Sequence, residues 1–547
     1  MLLMSTLGSS RPPGKIGAPL PAGPVAGSFD ALVVGSGIGG LAAAALLARE
    51  GGRRVLVLER HSVAGGFTHT FRRPGFEWDV GVHYIGDVNL PGSATRAAFD
   101  YLTQGRLKWS AMPEVYDRLQ VGGRWYDLHA GRERFRESMK AYFPEEARAI
   151  DAYLEAVARV VRRSRFFFAE KAIPGPAAAV LGGLLRGAFL EQADLTTDEV
   201  LRGLTGSAEL RAVLAGQWGD YGMPPGESSF AMHAVTANHY MEGAGYPIGG
   251  SSEIAAGIAP LIEQAGGMIA TRAEVAQILV GPGGHAIGVR LADGRQVRAP
   301  VVVSDAGAQA TLNRLLPAEL ECTRALRGEL ARIPPSIAHL GLYVGLKRAE
   351  DEPEFGASNL WSFPGPDHQA NVRRHAEDPS APFPFVFVSF PSAKDPAFAT
   401  RHPGKSTIEV IAPSSFDRYA EWADTRWKSR TADYESLKRD LTARLLAELE
   451  RLVPSTRGRV LHAELSTPLS TRHFDACQHG EIYGLCASPA RFRVRGLGTR
   501  TPVRNLYLAG QDAAVSGVTG ALVGGVLAAS AILRRNLMGR VFRPTGA

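Results

Sequence analysis

The chain has 547 residues, 45% hydrophobic and 21% charged, which excludes a disordered or low-complexity protein and allows more than one core. Its net charge of +7 is scattered through arginines and never gathers into a basic block interleaved with aromatics, so nucleic acid is not an expected partner; a mildly basic surface suits an acidic membrane face better. Three cysteines without a CxxC pair, and histidines without HExxH spacing, give no basis for a disulfide framework or a zinc site and point to a reducing, cytoplasmic-side location, free or peripheral on a membrane.

Residues 1–28 are rich in Gly, Pro and Ser and hold no apolar core long enough for a signal peptide, so they read as a disordered leader. The first patterned segment is FDALVVGSGIGGLAAAALLAREGGRRVLVLER, Phe29 to Arg60. Its opening apolar run predicts a strand buried on both faces of a parallel sheet. The glycines that follow fit GxGxxG: Gly35 for the tight turn, Gly37 for close approach of a pyrophosphate, Gly40 for close packing of helix on sheet. The alanine-rich helix would aim its first N–H groups at the phosphates. A second strand ends at Glu59, placed to accept hydrogen bonds from a ribose, with Arg60 beside it among the cofactor contacts.

That motif alone does not separate NAD from FAD. Gly65 and Gly66, just past the acid, suit a dinucleotide that continues beyond its pyrophosphate into a flavin. FEWDVGVHYIGD then brings Asp79, His83 and Tyr84. A neutral His83 can donate to a flavin atom or serve as acid or base toward a substrate carbon, or it is a satisfied structural histidine; Tyr84 is grouped with it. In AIDAYLEAVARVVRR, Ile150, Leu154, Val157 and Val161 share one helical face. Residues 162–190 mix bases, aromatics and a short apolar stretch, a composition that fits a peripheral membrane foot or a helical pair in a core.

His239 and Tyr240 precede GYPIGG, after which a helix and a strand place Val275 where its backbone can touch an adenine. The stretch from there to Ala306, split by GPGG and DG, reads as a β-meander. No second GxGxxG appears, so no dedicated NAD(P)H site is expected. FPFVFVSF predicts a strand with Phe383, Phe385 and Phe387 on one face, lining an apolar channel or an ordinary core; LKRDLTARLLAELERLVP predicts an amphipathic helix ended by Pro454. HGEIYGL carries Glu481 and Tyr483; a buried Glu481 would have a raised pKa and could act as a proton donor. NLYLAGQDAAVSGVTGALVGG gives a strand, Gly510, Asp512 placed for a ribityl hydroxyl, and a glycine-rich helix start that includes Gly520.

These segments, GSGIGGL, LERHSVAGGFTHTF, GFEWDVGVHYIG, HYMEGAGYPIGG, STPLSTRHF, GEIYGL and NLYLAGQD, resemble the flavin-containing amine oxidase and phytoene desaturase superfamily, and within it retinol saturases and carotenoid isomerases. The resemblance implies an α/β fold: a Rossmann-like FAD-binding domain of glutathione reductase or amine oxidase type with an inserted α+β substrate domain. The FAD domain would be discontinuous, over 29–95, 240–315 and 460–540, and the substrate domain would occupy 96–239 and 316–459. It also implies FAD as cofactor, a hydrophobic polyene or isoprenoid as substrate, and hydride exchange with flavin N5 that saturates, desaturates or isomerises carbon–carbon bonds. Catalytic residues are then sought in His83, Tyr84, Glu481 and Tyr483. The electron partner stays open among quinone, a ferredoxin-like carrier and oxygen. The alternatives are an amine or amino-acid oxidase of the same superfamily and a prenyl-binding escort protein, against which Glu59, Gly65, Gly66 and Asp512 argue.

Overall fold

Two runs without a polar residue, Ala31–Val34 and Val55–Leu58, have every side chain buried, which requires cover on both faces of their sheet. They form the centre of a six-stranded parallel sheet, in the order Ala18–Pro19, Met268–Thr271, Val55–Leu58, Ala31–Val34, Val302–Ser304, Leu506–Leu508. The computed structural model describes residues 16–544 apart from 24, 26, 173–174 and 349–354. Ala18–Pro19 pairs with the strand at Met268–Thr271 and Ile16 is buried, so the expected leader over 1–28 does not run through this stretch; strand pairing satisfies its backbone groups. Residues 1–15, 24 and 26 of that leader lie outside the described residues.

The helix Ile38–Gly51 covers one face of the sheet and packs against the helices Val518–Leu533 and Ser252–Gln264. Small residues make this possible. Ala42, Ala43, Ala44 and Ala45 are fully buried, and a Cβ on Gly525 would come 2.3 Å from the Gly39 carbonyl oxygen. The backbones therefore touch where side chains would ordinarily intervene.

A second, seven-stranded sheet runs in the order Val460–Ser466, Ala338–Lys347, Lys405–Ser414, Val386–Ser389, Asn359–Phe363, Val115–Val121, Arg124–His129. Val460–Ser466 pairs antiparallel with Ala338–Lys347, so the expected start of the last cofactor piece at 460 falls inside the second sheet. Its one buried residue, Leu465, faces the core beneath the helix Ala432–Leu452, which ends ahead of Pro454. Conversely the helix Ala94–Thr103, on the far side of the expected boundary at 95, packs on Ser252–Gln264 and Ile38–Gly51 of the first layer. Val275–Val280, Ala286–Leu291 and Gln296–Arg298 form the antiparallel meander, but Val302–Ser304 leaves it for the parallel sheet.

Phe383 does not share a face with Phe385 and Phe387. Pro384 cannot donate to a ladder, and the strand begins only at Val386. Phe385 and Phe387 pack on Trp361, whereas Phe383 lies under the Arg444 guanidinium at 4.5 Å in the other core. In the helix Ala147–Ala172, Ile150, Leu154 and Val157 are buried, but Val160 takes the next core position and Val161 is only half-buried. The helix Gly175–Ala193 folds back on it, and Phe167 stacks on Phe189 at 4.5 Å inside the core, leaving Phe166 exposed. Side chains at 172–181, central to the expected membrane foot, lie outside the described residues. Among the described residues, no helix is long and apolar enough to cross a membrane.

Gly525→Ala forces a methyl against backbone, so it should destabilise the fold by about 1–3 kcal/mol, read as a lower midpoint of thermal unfolding. Gly539→Ala, where a Cβ meets nothing within 4 Å, is the control and should leave that midpoint unchanged.

Candidate functional site

The C-terminal ends of the parallel strands converge on one cavity of about 590 Å³. At its nucleotide end, the turn after Ala31–Val34 puts Gly35 at φ +94° with its N–H donating to the Leu58 carbonyl. The helix at Ile38 starts with no side-chain cap and no acid in its first turn, which leaves N–H groups available for an anion. Glu59, 7% exposed, accepts hydrogen bonds from the Ser36 N–H (3.0 Å), the Ser36 hydroxyl (2.6 Å) and the His61 N–H (2.7 Å). The Ser36 hydroxyl in turn accepts from the Gly65 N–H. Arg60 donates to the His473 carbonyl and lies 3.7 Å from Glu274. The loop after Met268–Thr271 is tied to Glu59 by the Ala273 N–H, which brings Val275 to the cavity wall.

Gly35, Gly37, Glu59, Arg60, Gly65, Gly66, Val275, Gly510 and Asp512 all line this cavity. Gly40 and Gly520 do not. A Cβ on Gly40 would meet the Gly35 carbonyl at 2.4 Å, and one on Gly520 would meet the Val515 carbonyl at 2.0 Å, so both glycines permit close packing behind the groove. Asp512 is 4% exposed and already accepts from the Ala308 and Leu485 N–H groups; it staples three chain segments at the cavity wall. Sequence reasoning missed Asp305. A Cβ on Gly37 would sit 2.6 Å from its Oδ2, so the glycine turn admits this carboxyl as well as any ligand. Burial pushes Asp305 up to about 7 while the Gly40 N–H bonds it, which reduces the negative charge it would set beside the helix start. Its signal, an acid two residues before a glycine at the end of VVVS, is shared by many turns.

The other end of the cavity is walled by Trp361, Phe385, Phe387 and Ile411. His83 lines it with its side chain 19% exposed, and its Nδ1 lies 2.7 Å from Glu409 Oε2. Burial, reinforced by the charge of Lys394, holds His83 down at about 3, so the imidazole is neutral. Glu481 and Tyr483 also line the cavity. Burial raises the Glu481 carboxyl, which accepts from the His479 N–H, and raises the Tyr483 phenol. Tyr84 does not reach the cavity. Its ring stacks on Tyr240 at 4.4 Å and its hydroxyl contacts Asp117 and Asp220 behind the wall, because Tyr84 and His83 are consecutive and point apart. His239 accepts from the Gly86 N–H, a structural role.

Beneath His83 lies a buried polar group that the sequence did not announce. Glu409 accepts from the Asp79 N–H, Asp79 accepts from Tyr246 and the Ser251 N–H, and Lys394 donates to the His83 carbonyl, the Ser389 hydroxyl and Asn359. Burial raises Asp79 to about 7 and Glu409 to about 8, and lowers Lys394 to about 8. These residues come from five separate stretches of the chain.

A flavin dinucleotide fits what these residues offer: an uncapped helix start, an acid at the second strand's end, and a groove that continues into an aromatic chamber. Together they define an FAD-dependent oxidoreductase. The chain belongs to the flavin containing amine oxidoreductase family, whose model matches residues 38–328. It is 38% identical to an all-trans-retinol 13,14-reductase of Danio rerio over 530 residues, 93% of this chain and 86% of the relative. It is 26% identical to a chloroplastic prolycopene isomerase of Arabidopsis thaliana over 487 residues, 83% of this chain and 74% of the relative. Among solved structures, an oxidoreductase from Methanosarcina mazei superposes with a TM-score of 0.61 at 18% identity, over 92% of this chain and all of that one.

The raised carboxyls carry a pH signature. Between the ordinary Glu409 value of 4.5 and its folded value of about 8, the folded protein binds a proton that the unfolded chain has released, so this group's contribution to stability falls as pH rises. Buried histidines slope the opposite way below about pH 6.5. The comparison is therefore a difference: Glu409→Gln should gain stability relative to the parent protein as pH increases from about 5 to about 8, measured by chemical denaturation of both.

Proposed function

We propose that this protein reduces a carbon–carbon double bond of a long apolar polyene, of retinoid or carotenoid kind. The observation that carries this reading is the single cavity in which nucleotide-binding features run without a break into a chamber walled by Trp361, Phe385 and Phe387. Such walls suit an extended conjugated chain better than a compact amine. The reductase relatives, 35–38% identical over 93% of the chain, support reduction over isomerisation.

In this reading Glu59 and Arg60 hold the ribose, Gly35, Gly37 and the uncapped helix start hold the pyrophosphate, and Val275 meets the adenine. Gly65, Gly66, Gly510 and Asp512 hold the flavin end. FAD, when bound and reduced, supplies the hydride. Phe387, Trp361 and Tyr483 orient the polyene and exclude water, while the neutral His83 is fixed by Glu409 to offer one ring nitrogen to the cavity. Glu481, its carboxyl raised by burial, guards the second side of the chamber. Substrate from a lipid phase would enter by peripheral membrane contact through the helical pair Ala147–Ala172 and Gly175–Ala193, where Phe166, Arg162 and Arg165 are exposed.

The test is anaerobic: reduce the flavin, add all-trans-retinol or a carotene, and weigh the products. A gain of two hydrogens is expected. Unchanged mass with altered geometry would instead make the chain an isomerase, and peroxide from simple amines in air would make it an oxidase. Glu59→Ala should lower FAD occupancy, the lost sugar bond being worth about 1–3 kcal/mol; a variant that purifies with full flavin absorbance refutes the ribose assignment.

A further inference from the structure

Behind the aromatic wall, two carboxyls compete for one hydrogen. The Tyr84 hydroxyl lies 2.9 Å from Asp117 Oδ2 and 3.0 Å from Asp220 Oδ2. A phenol has one proton and can donate to only one of them. If both carboxyls were ionised, one short oxygen–oxygen contact would contain no hydrogen. One of the two acids must supply it.

The remaining partners decide which. Asp117, fully buried, accepts from Asn359 Nδ2 (2.8 Å), Gln217 Nε2 (2.9 Å) and Trp361 Nε1 (3.2 Å). The amide of Asn359 is held in that orientation because its oxygen accepts from Lys394. Three donors besides Tyr84, backed by a lysine one residue away, stabilise Asp117 as the anion. For the Asp220 carboxyl, Tyr84 is the one hydrogen-bond partner recorded among the described residues. Asp220 is therefore the acid that keeps its proton, donating it to the Tyr84 oxygen while Tyr84 donates to Asp117. Burial and the neighbouring Asp117 charge both raise Asp220 well above the ordinary carboxyl range.

Asp220 also differs from Asp117 in position. It lines the cavity, at the end of the turn Trp218–Asp220, and the adjoining Gly219 is packed so tightly that a Cβ there would come 2.6 Å from the Trp361 ring and 2.8 Å from that of Phe385. A neutral acid is thus set into the aromatic wall where an apolar chain would lie. The titratable groups that face it are Tyr84, Tyr116, Tyr221, Tyr240, Tyr483 and Asp117; none of them is a cation.

We propose that Asp220 is the proton donor to the substrate double bond, with Tyr84 as the positioning residue that turns its hydroxyl from Asp117 to Asp220 as the proton leaves. This deepens the reading of the chain as a polyene reductase and rests on it. With FAD held at the nucleotide end and reduced, the cofactor would supply a hydride to one alkene carbon, while Asp220 would give a proton to its neighbour. The π bond is replaced by two C–H bonds, the flavin is oxidised, and the Asp220 carboxylate recovers a proton from water after product leaves.

The test uses FAD-loaded protein and two independent readouts. Infrared difference spectra of the parent protein against Asp220→Asn, taken without substrate near neutral pH, should show a carboxylic-acid carbonyl band that shifts in D₂O and is lost in the variant. Under anaerobic conditions Asp220→Asn should keep its flavin spectrum yet reoxidise with the polyene at least about 100-fold more slowly. Asp220→Glu should recover more than a tenth of the parent rate, and Tyr84→Phe should fall between. A carboxylate instead of a carboxylic acid at position 220, or Asp220→Asn reoxidising at the parent rate, overturns the proposal. If the parent protein reduces no polyene, the function reading fails, and the infrared band still decides whether Asp220 is the protonated member of the pair. Should Asp220→Asn not fold, Asp220→Glu serves both readouts: an unshifted band or a rate below a tenth overturns the proposal.

Discussion

The site depends on backbone contact where the first helix, the last helix and the final strand's turn meet. A Cβ on Gly39 would lie 2.5 Å from the Gly510 Cα, one on Gly524 would lie 2.1 Å from the Gly510 carbonyl, and one on Gly525 would lie 2.3 Å from the Gly39 carbonyl. Interiors at crystal-like density offer no slack around such contacts. Segments almost five hundred residues apart are thereby locked in one register, and Asp512 inherits a fixed place between Gly307 and Gly484. Arg491, buried and donating to the Leu485 and Gln511 carbonyls, holds the neighbouring loop to the same wall. A cofactor groove assembled from discontinuous chain needs this rigidity, because each piece contributes only one or two contacts.

The chamber end obeys a different rule. There the limiting quantity is charge. Asp79, Glu409, Asp117 and Asp220 sit in or behind one wall, with Lys394 as the nearby cation. Several separated buried anions around one ammonium would each forgo solvation without recovering it. Burial shifts all of these carboxyls toward their protonated forms, and hydrogen-bond donors oppose that shift most where amide and indole N–H groups converge, as on Asp117. The result is a wall that is electrically near neutral toward an apolar ligand while holding proton donors within it.

Much of the nucleotide end was legible in the sequence because its constraints are local. A strand, a glycine turn, a helix and an acid within thirty residues fix each other, so Gly35, Gly37 and Glu59, with Val275 from a later strand, line one cavity. Gly40 and Gly520 show the limit: a glycine motif does not distinguish backbone that faces a ligand from backbone that faces another backbone. The leader and the boundary at 460 were misjudged because Ala18–Pro19 and Val460–Ser466 are edge strands, whose weak patterning is decided by a distant partner. Lys394, Glu409 and Asp220 were invisible for a related reason. Nothing in FPSAKDP, STIEVIA or QWGDYG tells a solvated charge from a buried one; only packing across sheet and turn does. Tyr84 was found for the right neighbourhood and the wrong side of the wall.

The difference between moving a double bond and saturating it reduces, in such a chamber, to where a proton can come from. Hydride arriving on a polyene in an apolar pocket leaves a carbanion-like chain with no water to discharge it. A charged ammonium or imidazolium beside the chain would stabilise that anion and slow its quenching, and it would be expelled by burial in any case, as the low value of His83 shows. A neutral carboxylic acid avoids both problems, provided its conjugate base is met by a donor at the moment it forms. The Tyr84 hydroxyl stands at hydrogen-bonding distance from both carboxyls, so one rotation transfers its stabilisation from Asp117, which has three other donors, to Asp220, which has none recorded. The buried anion left behind is the one best able to do without Tyr84. That asymmetry of donors, rather than any single pKa, is what suits this wall to saturating a bond.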